Sequence, residues 1–224
     1  MRGYRAAVLA LLFALLPSTL TAQVTVGLSA FGGVYLPTAD LFDGVVPIDT
    51  FGPSSLKFKQ KTGWTAGARV GIWPTSRIGI ELEAAYVSSE VEGDFIVAVD
   101  GRLVPVTGSE PGNIFLGSVN FVYALIRPPL EPLAITVSGG VGLVSRGGDA
   151  WKNFEDTSDI AGVLGLGLKY GIAKALWLRF DFRDYISSFE EKNLSAVALQ
   201  GGGSKLQNDL LIVVGVEWFL TPGT

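Results

Sequence analysis

Hydrophobic and polar positions alternate with a period of two along most of this chain. The segment 176–186, LWLRFDFRDYI, shows it most clearly. Leu176, Leu178, Phe180, Phe182 and Ile186 share one face, and Trp177, Arg179, Asp181, Arg183 and Tyr185 share the other. A period of two belongs to an extended strand whose faces meet different surroundings. The same reading predicts strands at 24–36, 63–73, 78–87, 113–126, 133–144, 160–170, 176–186 and 210–220. Each is close to the ~9–11 residues that a tilted strand needs to cross a bilayer.

The connections alternate in length. Residues 74–77, 127–132 and 171–175 are tight, whereas 37–62, 88–112, 145–159 and 187–209 are long, polar and rich in Gly, Ser, Asp and Lys. Short periplasmic turns and long extracellular loops give this rhythm in a transmembrane barrel. It also sets the orientation: the first strand runs outward and the eighth returns. Within the second long connection, 95–99 and 103–107 flank Asp100-Gly101, a type I′ turn signal. We expect this pair to rise above the membrane. The alternative, a ten-stranded barrel, requires spans longer than these runs.

A soluble sandwich or lipocalin-like barrel would alternate too. Its outer rows would be dense in charge. Here the polar rows of the fifth and sixth strands are mostly Gly, Ala, Ser and Thr, and residues 113–126, 133–144 and 160–168 carry no charge. Such rows suit a narrow, packed interior, and the opposite rows of large apolar residues suit lipid. The charges on the polar rows are Arg69, Lys169, Arg179 and Arg183 against Glu81, Glu83, Asp181 and Glu217, four of each sign. Charges withdrawn from water need partners, so these eight are expected to form an ion-pair core. A structural core is favoured over a conduction path because side chains can fill an eight-stranded lumen. Glycines on the fifth and sixth strands leave room for the bulky inward residues Trp177, Arg179, Arg183 and Tyr185. Trp64 and Tyr86 fall toward the outer rim, and Tyr123, Tyr170 and Trp218 toward the periplasmic rim, where amphipathic rings suit the membrane interfaces. Trp73 also lies near the periplasmic rim, but on the inward row.

Residues 1–22 read as a secretory signal. Arg2 and Arg5 precede the uncharged apolar run 6–16, Pro17, Ser18 and Thr19 break it, and Ala22 suits cleavage. The run is too short for a membrane span of about 20 residues. The folded domain is therefore expected over 23–224. A formal net charge of −4 argues against nucleic acid as a partner. The chain has no cysteine and no histidine. That removes disulfides, thiolate metal sites and the usual general base. Glu81 and Glu83 lie two apart on one strand and so share a face; with Arg69 and Arg179 available, ion pairing is favoured over acid–base work. Two acidic groups in the connections (Glu90, Glu92 and Asp94; Glu155, Asp156 and Asp159) offer carboxylates for calcium but match no EF-hand spacing. Solvated charge is the simpler reading. The glycines at 162, 165, 167 and 171 do not form a GxGxxG loop.

The signal at 1–22, the first strand GLSAFGGVYLPT (27–38), LRFDFRDYISSF (178–189) and the closing NDLLIVVGVEWFL (208–220) resemble the small eight-stranded bacterial outer-membrane barrel family, of the OmpA-barrel, OmpX and opacity-protein type. The resemblance implies an all-β, antiparallel up-and-down transmembrane barrel in a Gram-negative outer membrane. It implies contact with outer-membrane lipid and lipopolysaccharide, insertion by the barrel-assembly machinery, a monomer, and no cofactor. The role it implies is structural or surface interaction, with an extracellular ligand met by the four long loops. A narrow channel for small or apolar solutes and a soluble periplasmic lipocalin-like binder are the alternatives. Outer-membrane enzymes of similar size rely on histidine, so no catalysis is expected. Family members typically end on an aromatic residue, whereas here Phe219 is followed by Leu220, Thr221, Pro222, Gly223 and Thr224. No peptidoglycan-binding domain follows, so a tethering role is not implied.

Overall fold

The computed structural model describes residues 24–48, 52–99, 102–126, 132–152, 157–190 and 204–220. The expected signal at 1–22 lies outside them. The strands are β1 (Thr25–Pro37), β2 (Phe42–Ile48), β3 (Gly52–Gln60), β4 (Gly63–Trp73), β5 (Ile78–Ser88), β6 (Glu90–Val99), β7 (Arg102–Pro111), β8 (Asn113–Ile126), β9 (Leu133–Gly147), β10 (Ser158–Gly171), β11 (Leu176–Glu190) and β12 (Ser204–Phe219). A 3-10 turn, Asp149–Trp151, follows β9. Eight strands close into an antiparallel barrel in the order β1-β12-β11-β10-β9-β8-β5-β4. The other four form a sheet ordered β2-β3-β6-β7 at the end of the barrel that bears the long connections.

The strand register fixes the barrel's shape. From Gly63, successive partners are Tyr35, Leu211, Arg183, Gly165, Ser138, Val122 and Gly79. Ile80 faces Ile72, so Gly79 meets β4 at Trp73. The circuit returns ten residues from its start, between Gly63 and Trp73. A stagger of that size over eight strands requires a steep tilt, near the upper end of the usual ~35–45°. About ten residues per strand at that tilt cover a band ~25 Å tall, the height of a barrel's lipid-facing belt.

The outward rows of that band are apolar. Ile80, Leu82, Val119, Phe121, Leu164, Leu166, Phe180, Phe182, Val214 and Val216 are all exposed. The inward rows are buried and polar toward the short-turn end. This is the reverse of a water-soluble barrel, whose outward rows must be hydrated.

The sequence reading and the structure differ beyond the belt. The connection 37–62 holds the hairpin of β2 and β3, whose Gly44, Pro47, Gly52 and Pro53 obscure the alternation. The strands β9 to β12 extend further toward the long-loop end than expected; β12 starts at Ser204, opposite Glu190. The expected hairpin in 88–112 is present as β6 and β7, and it stands outside the barrel. Its Asp100-Gly101 turn lies outside the described residues. Val87 faces Ile114 and, in the same register, Glu90 faces Pro111, so β5–β6 and β7–β8 form one long hairpin broken only at Ser89 and Gly112.

The outer sheet is amphipathic. Phe58 and Val91 pack against buried Leu41 and Trp151. The neighbouring β3 lysines pair along the other row: Lys57 with Asp40 at 2.9 Å and Lys59 with Glu92 at 2.8 Å. Gln60 Nε2 donates to the Gly112 carbonyl at 2.6 Å, tying the sheet to the top of β8.

Candidate functional site: the filled lumen

The eight charged residues singled out from the sequence meet in one cluster inside the barrel, all of them buried. The steep stagger brings together residues far apart in the chain. Glu81 on β5 is the hub. It takes Arg179 Nη1 at 2.8 Å and Arg183 Nη2 at 2.5 Å from β11, diametrically across the barrel, and Lys169 Nζ lies 3.6 Å away. Glu217 meets Lys169 at 2.9 Å and Arg179 at 3.3 Å. Arg69 pairs with its strand neighbour Glu83 and reaches Asp181 Oδ2 at 2.6 Å. Arg183 Nη1 stands 3.1 Å from Glu83, and Arg179 Nη2 3.0 Å from Asp181. Tyr185 donates to Glu83 Oε1 at 2.8 Å and meets the Ser118 hydroxyl at 3.0 Å.

Aromatic faces complete the packing. The Arg69 guanidinium lies 4.3 Å from the Phe31 ring centre, and Lys169 Nζ 4.4 Å from that of Trp73. Trp73 is buried and lies over Gly79, where an added Cβ would meet its ring at 2.8 Å. It lies on the inward row at the short-turn end of the lumen. At Gly167 an added Cβ would sit 2.7 Å from Asp181 Oδ1, which its ion pairs with Arg69 and Arg179 hold in place.

Above the charges lies an apolar layer of Tyr35, Val87, Ile114, Leu116, Val144, Val163, Leu211 and Val213. It explains why β8 alternates poorly: Ile114, Leu116 and Val122 fill the lumen while Phe115, Val119 and Phe121 face outward.

A second polar layer near the long-loop end escaped the sequence reading. Arg146 Nη1 meets Asp159 Oδ2 at 2.5 Å, and its Nη2 meets Asp209 Oδ2 at 3.2 Å across the lumen. Tyr35 donates to the other Asp209 oxygen. Ser187 and Gln207 face each other beside this group, both buried. Arg146, Asp159, Ser187, Gln207 and Asp209 fall in the long connections that the sequence pattern predicts, whereas the last four barrel strands extend to include them. The signal was present in the parity, since Val144 and Arg146, and Gln207, Asp209 and Leu211, continue the inward rows.

The acidic groups of the connections, read from the sequence as solvated charge rather than calcium ligands, make ion pairs and hydrogen bonds where they are described. Glu90, Glu92 and Asp94 lie on β6 and contact Lys61, Ser109, Lys59 and Thr107. Asp159 pairs with Arg146, and Glu155 and Asp156 fall outside the described residues. Among the described residues no group of three metal-ligating side chains gathers. The aromatics Trp64 (58% exposed), Tyr86, Tyr123, Tyr170 and Trp218 (62%) all project from the outer wall. Trp64 and Tyr86 meet edge to face, with ring centres 6.3 Å apart.

These features define a closed eight-stranded antiparallel barrel with an apolar exterior and a side-chain-filled lumen. Neisserial surface protein A (NspA) matches 86% of this chain and 96% of its own at a TM-score of 0.52 and 9% identity. The outer membrane protein OprG from Pseudomonas aeruginosa matches 87% of this chain and 95% of its own at a TM-score of 0.52 and 12% identity. At such identities the likeness concerns the fold alone. No protein-family profile and no curated protein matches the chain.

Proposed function

We propose that this chain is an integral protein of a bacterial outer membrane, closed to solutes through its lumen, with a structural or surface-interaction role carried by the sheet β2-β3-β6-β7. One observation carries the reading: the outward rows are apolar and the inward rows charged. An outer surface of Phe121 (54% exposed), Leu164, Phe180 and Val214 is stable in lipid rather than water. The signal at 1–22 accounts for export, cleavage near Ala22 leaves 23–224, and barrel-assembly machinery and lipopolysaccharide are the partners that insertion implies. The short turns then face the periplasm and the outer sheet faces outside. The interior ion-pair network is structural, and Trp64, Tyr86, Tyr123, Tyr170 and Trp218 sit at the membrane interfaces. The layered lumen supports closure, with ion pairs spanning its diameter and Trp73 at its short-turn end.

Membrane fractionation with surface proteolysis, followed by planar-bilayer recording, tests this. The protein should partition with outer membranes, lose only its outer sheet to external protease, and give no stepwise conductance. Recovery in the soluble periplasmic fraction would refute the membrane assignment. Stable unitary currents would support the narrow-channel alternative instead.

A further inference from the structure

The two polar layers of the lumen differ in charge balance. The lower one holds four positive and four negative groups. The upper one, among the described residues, holds one guanidinium, Arg146, against two carboxylates, Asp159 and Asp209. Among the described side chains that leaves one carboxylate more than cations, and charge withdrawn from water is unfavourable unless something neutralises it. Beside it are three polar atoms without a hydrogen-bond partner: Oε1 and Nε2 of Gln207 and Oγ of Ser187. Gln207 is 1% exposed and Ser187 2%, so bulk water does not serve them. They face each other across the β11–β12 pairing, both on the inward row, and Asp209 is the next inward residue after Gln207. The Asp159 side chain keeps 19% exposure, so the ring is open to the long-loop side there.

We propose that this ring, Ser187, Gln207 and Asp159 with Asp209 beneath, binds a small primary ammonium group entering past Asp159. Such a group carries three N–H donors and one positive charge. Gln207 Oε1, Ser187 Oγ and the Asp159 carboxylate accept the donors, and the positive charge offsets the surplus carboxylate among the described side chains. Arg146 continues to hold the two carboxylates apart. The apolar layer below, with Leu116, Leu211 and Val144, stops the ligand from descending.

The test is a solution-NMR titration of the whole protein in detergent micelles with ethylammonium chloride, and with sodium chloride and tetramethylammonium chloride as probes lacking N–H donors. Ethylammonium should give saturable shifts at the Ser187 and Gln207 amides, and the other two should not. Gln207→Leu should weaken binding roughly tenfold to a hundredfold, as expected for one hydrogen bond to a charged group. Should that variant fail to fold, Ser187→Ala, which removes one atom, carries the test with the same expected direction. No saturable shift with ethylammonium means that water fills the ring and overturns the proposal. Equal binding of sodium or tetramethylammonium overturns the ligand class, and unchanged affinity in both variants overturns the site.

Discussion

Arg179 concentrates the physics of the lumen in one side chain. It contacts Glu81, Asp181 and Glu217 at once, with no exposure to share the charge with water. Truncating it leaves three buried carboxylates short of a cation. Arg179→Ala should therefore cost about 3–5 kcal/mol of stability, read by urea unfolding in lipid vesicles. A role in solute selectivity would instead leave unfolding unchanged. Gly167→Val should be destabilising by roughly 1–3 kcal/mol through overpacking against Asp181 and Thr136, checked the same way. At this scale the sequence was largely legible. Parity alone placed Arg69, Glu81, Glu83, Lys169, Arg179, Asp181, Arg183 and Glu217 inside. Their pairing was not legible, because the stagger around the barrel decides which residues share a height. Glu81 and Arg179 are 98 positions apart and meet across the lumen.

Single elements show where alternation fails as a guide. The belt portions of β4 and β8 match their predicted limits, since a wall between lipid and a packed lumen demands a period of two. Above the belt both faces meet water or the outer sheet, and the constraint lapses. So the sequence pattern does not reveal β2 and β3, and it ends the predicted strands short of Arg146 on β9 and Asp209 on β12. The outer sheet should be separable from the barrel in stability. Trp151→Ala removes the buried ring under Phe58 and Val91. Amide exchange in β3 and β6 should quicken severalfold while β11 stays protected; equal loss in β11 would show that the two sheets unfold together. The sheet's charge ladder also predicts a pH window. The Ser109 hydroxyl, then Lys61, holds the Glu90 carboxyl below its usual value of 4.5, and the Lys59 ammonium does the same for Glu92. A lowered folded-state value stabilises above pH 4.5, and that contribution disappears as pH falls through the folded value. Glu90 raises Lys61 above 10.5, so that contribution is present below 10.5 and is lost as pH rises through the folded value. Exchange in β3 and β6 should thus be slowest between these limits. A pH-independent opening free energy, after correction for intrinsic exchange, would contradict the ladder.

For the whole molecule, the defining feature is an inversion: apolar side chains outside and charged ones inside. The absence of cysteine makes this measurable along one strand. Single cysteines can be introduced along β11 and spin-labelled, with the protein folded into lipid vesicles. Labels at Leu178, Phe180 and Phe182 should collide with lipid-dissolved oxygen and not with an aqueous nickel complex. A label replacing the buried inward side chain Tyr185 should meet neither reagent. Nickel accessibility at Tyr185 would reveal a water-filled lumen, and nickel accessibility at Leu178, Phe180 and Phe182 would place the outer wall in water; either result would contradict the account.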